Sequence, residues 1–266
     1  MYATTYHRAS SVDEAAGLLK KADDGKFVSG GMTLIPAMKQ RLAAPSDLID
    51  LRHIKDLKGV KVSGKSVTIG AATTHAEVAS NGDLAKTCPA MCNLASHIGD
   101  PHVRHMGTIG GSVANNDPAA DYPAALLALD ATIVTNQREI AAADFFTGLF
   151  ETALNEDEIV TAVSFTAPDK CGYAKFPNPA SRYAMTGVFV ANSGGGVKAA
   201  VTGAGDDGVF RSAEIESALS KSFDASALDG VSVPAGSLMS DIHASADYRA
   251  NLIVVMARRA VAAANG

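Results

Sequence analysis

The chain has 266 residues, 47% of them hydrophobic and 19% charged, enough to bury a core and, at roughly 100 to 200 residues per domain, long enough to suggest two domains. A formal net charge of -5 and a pI near 5.8 leave no general attraction to nucleic acid or anionic lipid, so a polyanionic ligand has to be held by local groups. No apolar signal segment follows residues 1–8, Arg258 and Arg259 break the apolar C-terminal stretch, and Cys88, Cys92 and Cys171 are too few for a disulfide framework or an iron-sulfur cluster; a cytoplasmic protein without a membrane span is expected.

Ser11-Val12-Asp13-Glu14 has the form of a capping box ahead of Ala15, Ala16, Leu18 and Leu19. It predicts an N-capped helix before an extended Phe27-Val28-Ser29, a β-α-β start. Residues 60–63 and 67–70 flank Gly64-Lys65 as arms of a hairpin, and residues 84–98 have a helical pattern despite Pro89. Gly107 opens a glycine-punctuated loop that reaches Ser112. A helix is expected near 123–129, with strands at 131–135, 140–145 and 159–165. Pro168, Gly172, Pro177 and Pro179 mark a loop-rich boundary. Strands at 188–192 and 197–201 and helices at 213–219 and 248–263 follow, so the domain junction is placed near residue 170.

Two loops have groups suited to phosphate. In Phe27-Val28-Ser29-Gly30-Gly31-Met32-Thr33-Leu34 an apolar strand runs into two glycines and a hydroxyl residue. Consecutive amides without Cβ atoms can turn inward as an anion-binding nest; a plain tight turn is the alternative. In Thr108-Ile109-Gly110-Gly111-Ser112 and the residues up to Asp121 the glycine pair recurs. There Gly110 and Gly111 can offer amides to phosphate, and Thr108 and Ser112 their hydroxyls. Asn115 or Asp121 can hydrogen-bond a ribityl or ribose chain, unless the segment is a hairpin tip built on Asx turns.

Gly203-Ala204-Gly205-Asp206-Asp207-Gly208 matches the glycine string of dinucleotide folds. An extended Val209-Phe210-Arg211 stands where the helix should begin, and two aspartates would repel a pyrophosphate, so a hairpin turn is expected instead. His102 and His105 lack further ligands at metal spacing, and no nucleophile-base constellation is visible among the dispersed His7, His53, His75, His97 and His243.

The two loops, in this order, resemble the FAD-binding medium subunit of the carbon monoxide dehydrogenase and xanthine dehydrogenase family of molybdenum hydroxylases. Ser29 to Pro36 with Met38-Lys39 and Arg41-Leu42 is similar to that family's first FAD loop and following helix. Gly70-Ala71 with Thr74-His75-Ala76-Glu77-Val78 is similar to its middle segment. Ile98-Gly99-Asp100-Pro101, Arg104, Gly107 to Ser112 and Asp117 to Asp121 resemble its second loop, and Asp241 to Ser245 with Tyr248-Arg249 and Arg258-Arg259 its C-terminal segment.

The resemblance implies an α+β fold: an FAD-binding domain of the vanillyl-alcohol oxidase (PCMH) type in two subdomains over residues 1–170, and a small α+β domain over 171–266. It implies non-covalent FAD, with the backbone of Ser29 to Thr33 and of Thr108 to Gly111 around the pyrophosphate and Phe27, Val28 and Leu34 along the first loop. Asp121 would bind flavin hydroxyls, Ile98 and Gly99 would lie near the isoalloxazine, and Val160 would stand by the adenine or the ring system. Lys175 matches a lysine directed at the flavin, and Tyr183 an aromatic that shields the ring. Met32 and Asn115 depart from residues common in the family, a polar residue and a histidine. The implied partners are a molybdopterin-binding large subunit, a 2Fe-2S small subunit, and NAD, quinone or oxygen as electron acceptor. A free-standing FAD oxidoreductase and a non-catalytic assembly module are the rival readings.

Overall fold

The computed structural model describes Met1–Gly266. Strand β1 (Thr5–Arg8), helix α1 (Val12–Leu19), β2 (Gly25–Val28), helix α2 (Leu34–Lys39) and β3 (Asp47–Asp50) form the first unit, a three-stranded sheet with β3 parallel to both neighbours. Ser11 caps α1 by accepting the Glu14 N–H at 3.1 Å, but Glu14 reaches back one residue further than expected, to the amide of Ser10 at 2.8 Å. Ala15 of α1 and Ile49 of β3 are completely buried together under this sheet. Because β2 ends at Val28, the first glycine pair lies at the carboxyl edge of a parallel strand and runs directly into α2.

A five-stranded antiparallel sheet follows, built from β4 (Val60–Ser63), β5 (Ser66–Gly70), β6 (Thr132–Thr135), β7 (Glu139–Ala141) and β10 (Val160–Thr166) in the order β4-β5-β10-β6-β7. Helix α9 (Ala142–Phe145) and the small hairpin β8 (Phe146–Gly148) and β9 (Glu151–Thr152) lie between β7 and β10. Gly64, at φ +59, makes the expected turn between β4 and β5. The strand expected over 140–145 stops at Ala141, and its last residues form the single-turn α9.

The helices α3 (His75–Ser80), α4 (Gly82–Thr87), α5 (Pro89–Ser96), α6 (Pro101–Met106), α7 (Ile109–Asn115) and α8 (Tyr122–Ala128) occupy the stretch between β5 and β6. The helical pattern over 84–98 divides at Cys88, whose backbone (φ -144, ψ 73) leaves the helical region that a following proline disfavours, and Pro89 starts α5. The second glycine segment is not a loop beyond Thr108: Thr108 is an N-cap, accepting the Gly111 N–H, and Ile109–Asn115 is helical despite its two glycines.

The last unit is the antiparallel sheet β11 (Lys170–Pro177), β12 (Ala184–Ser193), β13 (Gly196–Thr202) and β14 (Phe210–Arg211), covered by α10 (Ala213–Lys221) and α11 (Ala246–Asn265). Gly172 lets α11 lie against β11, since a Cβ there would meet the carbonyl of Ala260. Residues 203–208 turn the chain from β13 to β14, with no helix starting among them. Buried Arg249 ties α11 to the sheet through the carbonyls of Met185 and Gly203 and the carboxylate of Asp241. No helix is long and apolar enough to cross a membrane.

The change of pattern at residue 170 marks a new sheet, yet Cys171, Tyr173, Phe189 and Ala191 share one apolar cluster with Met91, Leu94 and Leu126. Cys88 and Cys171 meet across this seam, sulfur to sulfur at 3.6 Å, both reduced. Burial lifts the Cys92 thiol to about 11, and the contact with Cys171 followed by burial lifts that of Cys88. The same contact lowers Cys171, but all three thiols are buried out of reach, so a thiol-disulfide reagent at pH 8 is expected to leave the native chain unlabelled on a timescale of minutes and to label three cysteines after urea unfolding. Rapid native labelling would place a thiol at the surface.

Candidate functional site

A cavity of about 620 Å³ opens where the units meet. It is lined by the first glycine segment, by the start of α7, by Ala114, Asn115, Asp117, Ala120 and Asp121, and by Ser181, Arg182 and Tyr183 from the turn between β11 and β12. Leu51, Leu57, Ala72 and Ile159, from the cluster beneath the first sheet, supply apolar wall, and Ile98, Gly99 and Val160 contribute more.

The first glycine segment behaves as a nest. No backbone carbonyl of the chain receives the N–H of Ser29, Gly30, Gly31, Met32 or Thr33, so five successive amides border the cavity without a main-chain acceptor. Such groups are costly to leave unmade and attract an anion. Gly31 sits at φ +70, where a side chain is strained, and Gly30 is needed because a Cβ there would lie 2.2 Å from the carbonyl oxygen of Met106. The Thr108 hydroxyl donates to Ser29 Oγ at 3.0 Å, so the two glycine segments are sewn together.

The second segment borders the cavity as well, but the amides of its two glycines are engaged within the protein. The Gly110 N–H is spent on the carbonyl of Ala71 at 2.8 Å and the Gly111 N–H on Thr108 Oγ1 at 3.2 Å, so neither amide is left for a phosphate. Gly110 is instead a packing glycine, its absent Cβ lying 2.5 Å from that of Ala71. Ile109 is completely buried in the main core and does not reach the cavity, whereas Thr108, Gly110, Gly111, Ser112 and Asn115 do.

Asp121 forms a buried part of the cavity wall. Its carboxylate accepts from the Tyr173 hydroxyl, and Lys175 Nζ lies 2.9 Å from Oδ1 and 3.2 Å from Oδ2. Burial raises the carboxyl, opposed first by the charge of Lys175. Lys175 is 5% exposed and sits behind Asp121 rather than on the cavity surface, so the lysine expected to face the flavin is the counter-ion of its wall. Asp117, likewise raised by burial, adds a second carboxyl to the lining. With Lys26 and Arg182 set against Asp117, Asp121 and Glu158, charged side chains give the cavity no excess of positive charge, and anion attraction falls to the amides.

Glu158 is held by Arg138, with guanidinium contacts of 3.0 Å to both oxygens, and by the Thr135 hydroxyl at 2.7 Å. Arg138 is the first cause that lowers its carboxyl to about 2, against burial. A depressed carboxyl contributes stability that is present above the unfolded value, near 4.5, and lost as pH falls toward about 2. Urea unfolding between pH 6 and pH 3 is therefore expected to show a fall in stability that shrinks in Arg138→Gln; an unchanged profile would disconnect the pair from acid stability.

Several residues of this site carry no local signal in the sequence. Ser181 and Arg182 arrive from a turn some 60 residues beyond Asp121, Lys26 precedes the glycines, and His75 stands among scattered histidines. His75 lies within the segment resembling the family's middle motif, which was the available pointer to it. His102 and His105 stay outside the lining; His102 is 95% exposed and His105 Nδ1 meets the carbonyl of Pro101.

An α+β chain that sets a row of unsatisfied amides into an apolar cavity, with buried carboxyls beside them, offers donors suited to the phosphates of a nucleotide cofactor. Residues 2–168 match the family described as FAD binding domain in molybdopterin dehydrogenase. The nicotine 6-hydroxylase medium subunit of Paenarthrobacter nicotinovorans is 34% identical over 273 residues, covering 97% of this chain and 96% of its own. The carbon monoxide dehydrogenase medium chain of Afipia carboxidovorans is 34% identical over 276 residues, covering 96% and 94%. A crystal structure of Cu,Mo-CO dehydrogenase superposes with a TM-score of 0.87 at 34% identity, over 99% of this chain and 98% of that one. The chain belongs to this family: it is an FAD-binding oxidoreductase subunit of the molybdenum hydroxylase type.

Proposed function

We propose that this chain holds FAD non-covalently in the cavity between its glycine segments. There it takes electrons from a 2Fe-2S small subunit and passes them to NAD, quinone or oxygen, while a molybdopterin-binding large subunit oxidises the organic substrate. The observation that carries the reading is the row of amides from Ser29 to Thr33 with no backbone acceptor, on a cavity with little other means of holding a pyrophosphate. Bound FAD supplies the change between two-electron and one-electron chemistry. This chain's residues bind and orient: the first-loop amides hold phosphate, and Asp121, Asn115 and Ser112 offer partners for hydroxyls. Ile98, Gly99, Val160 and Tyr183 give the ring systems apolar and aromatic walls. Residues 1–170 act as the FAD-binding domain, and 171–266 as a smaller domain that lends Tyr183 and the Lys175 counter-ion.

The three cysteines are buried and lie in no group of three or more potential metal ligands. That fits iron-sulfur clusters on another polypeptide, and a cytoplasmic location fits these reduced thiols. Relatives whose names carry nicotine and carbon monoxide match this chain about equally well, which fits a substrate pocket located elsewhere in the complex. The test is the absorption spectrum of the purified chain from 300 to 550 nm, before and after denaturation, with the released chromophore weighed by mass spectrometry. A flavin spectrum releasing intact FAD is expected, followed by association with the two partner subunits. A colourless chain that takes up no added FAD would sink the proposal.

A further inference from the structure

Histidine 75 is a buried polar side chain whose hydrogen bonding is only half made. It is 4% exposed and lines the cavity. Its Nδ1 stands 3.3 Å from the Tyr122 hydroxyl, with the rings 5.4 Å apart. The Nε2 edge lies against Gly107, where a Cβ would come within 2.7 Å of Nε2, and Nε2 has no hydrogen-bond partner in the protein. Gly107 has ordinary backbone angles (φ -62, ψ 144), so glycine is required there by the imidazole and not by the turn. Tyr122 is completely buried with no other partner for its hydroxyl, and burial raises that phenol well above its usual value, so it stays protonated. Its proton therefore goes to Nδ1, which leaves the hydrogen of the neutral ring on Nε2. Burial, then the charge of Arg104, lowers His75 to about 4, so the ring is a neutral donor at physiological pH.

The geometry points to His75 as a further cofactor-binding residue, its Nε2–H donating to an oxygen of the FAD pyrophosphate, with Tyr122 setting the tautomer and Gly107 making the space. The inference rests on the FAD reading above. Gly107 Cα lies 2.6 Å from the Cβ position of Gly30, which puts the imidazole edge beside the same seam as the unsatisfied first-loop amides. A neutral donor adds a hydrogen bond to the phosphate at no cost of burying a charge.

The test is FAD titration of the full chain, with His75→Leu and His75→Gln beside the parent, read by quenching of flavin fluorescence and by 31P resonances of the bound cofactor. His75→Leu is expected to weaken FAD roughly ten- to a hundredfold, the loss of one hydrogen bond to a charged group, and to move a 31P resonance. His75→Gln, which keeps an amide donor, is expected to recover most of the affinity. Equal affinity in all three, or equal losses in the two variants with unmoved 31P signals, would return His75 to packing. A parent chain that binds no FAD would instead overturn the underlying reading and this inference with it. Should His75→Leu fail to fold, 15N spectra of the parent decide: an Nε2–H tautomer whose shift moves on FAD addition is expected, and an Nδ1–H tautomer or an unmoved shift overturns the assignment.

Discussion

Gly30→Ala is expected to leave a folded chain that has lost most of its hold on FAD. The new Cβ would sit 2.2 Å from Met106 O, 2.6 Å from Gly107 Cα and 2.8 Å from Met106 C, all backbone atoms that cannot turn aside as a side chain would. Overpacking of this kind typically costs about 1–3 kcal/mol. Here the strain is relieved by separating the glycine segments, which stretches the Thr108 to Ser29 hydrogen bond and turns the first-loop amides away from a common point. Affinity for FAD should therefore fall by at least about a hundredfold, as several charge-assisted hydrogen bonds are misdirected together. Gly17→Ala is the contrast. Nothing lies within 4 Å of its Cβ position, inside helix α1, where alanine is the better former. Stability near that of the parent is expected, with FAD retained. The comparison is read by flavin fluorescence titration and thermal unfolding of both variants; equal FAD affinities would show that the seam does not shape the nest.

What the sequence makes legible and what it hides divide along physical lines. The hairpin at Gly64-Lys65 and the cap at Ser11 are local events decided by a few adjacent residues, and they form where expected. Helix α7 is hidden because Gly110 and Gly111 lower helix propensity. The chain overrides that preference with the Thr108 cap and with Ile109 and Val113, both completely buried. The same override engages the amides of these glycines within the protein although both residues line the cavity: Gly110 is small to admit Ala71, and its N–H is already taken. Family resemblance joins cavity residues that lie far apart in the chain, including Tyr183, which no spacing argument connects to Gly30. It could not show that Lys175 points into Asp121, because an ion pair between residues 54 apart exists only once the fold brings β11 to the residue that precedes α8.

Lys175→Met is expected to be among the most destabilising single changes in the chain, and its cost should depend on pH. Lys175 and Asp121 are 5% and 4% exposed, so removing the ammonium leaves a buried carboxylate with only the Tyr173 hydroxyl to hold it. Breaking one side of a buried pair costs about 3–5 kcal/mol, up to the point where the carboxyl takes a proton instead. The carboxyl is already raised by burial with Lys175 opposing; without the lysine it rises further. A carboxyl whose folded value lies above its unfolded value contributes stability that is fully present below the unfolded value and lost as pH rises through the folded one. The deficit of Lys175→Met relative to the parent should thus be smallest in acid and grow toward pH 8. Asp121→Asn combined with Lys175→Met removes both charges, and should recover much of the stability, with a flat pH dependence. Urea unfolding free energies of the parent, Lys175→Met, Asp121→Asn and the double variant at pH 5 and pH 8 give the coupling free energy. A deficit independent of pH, or a double variant no better than Lys175→Met alone, would mean that the lysine stem packs the wall and its charge does not support Asp121.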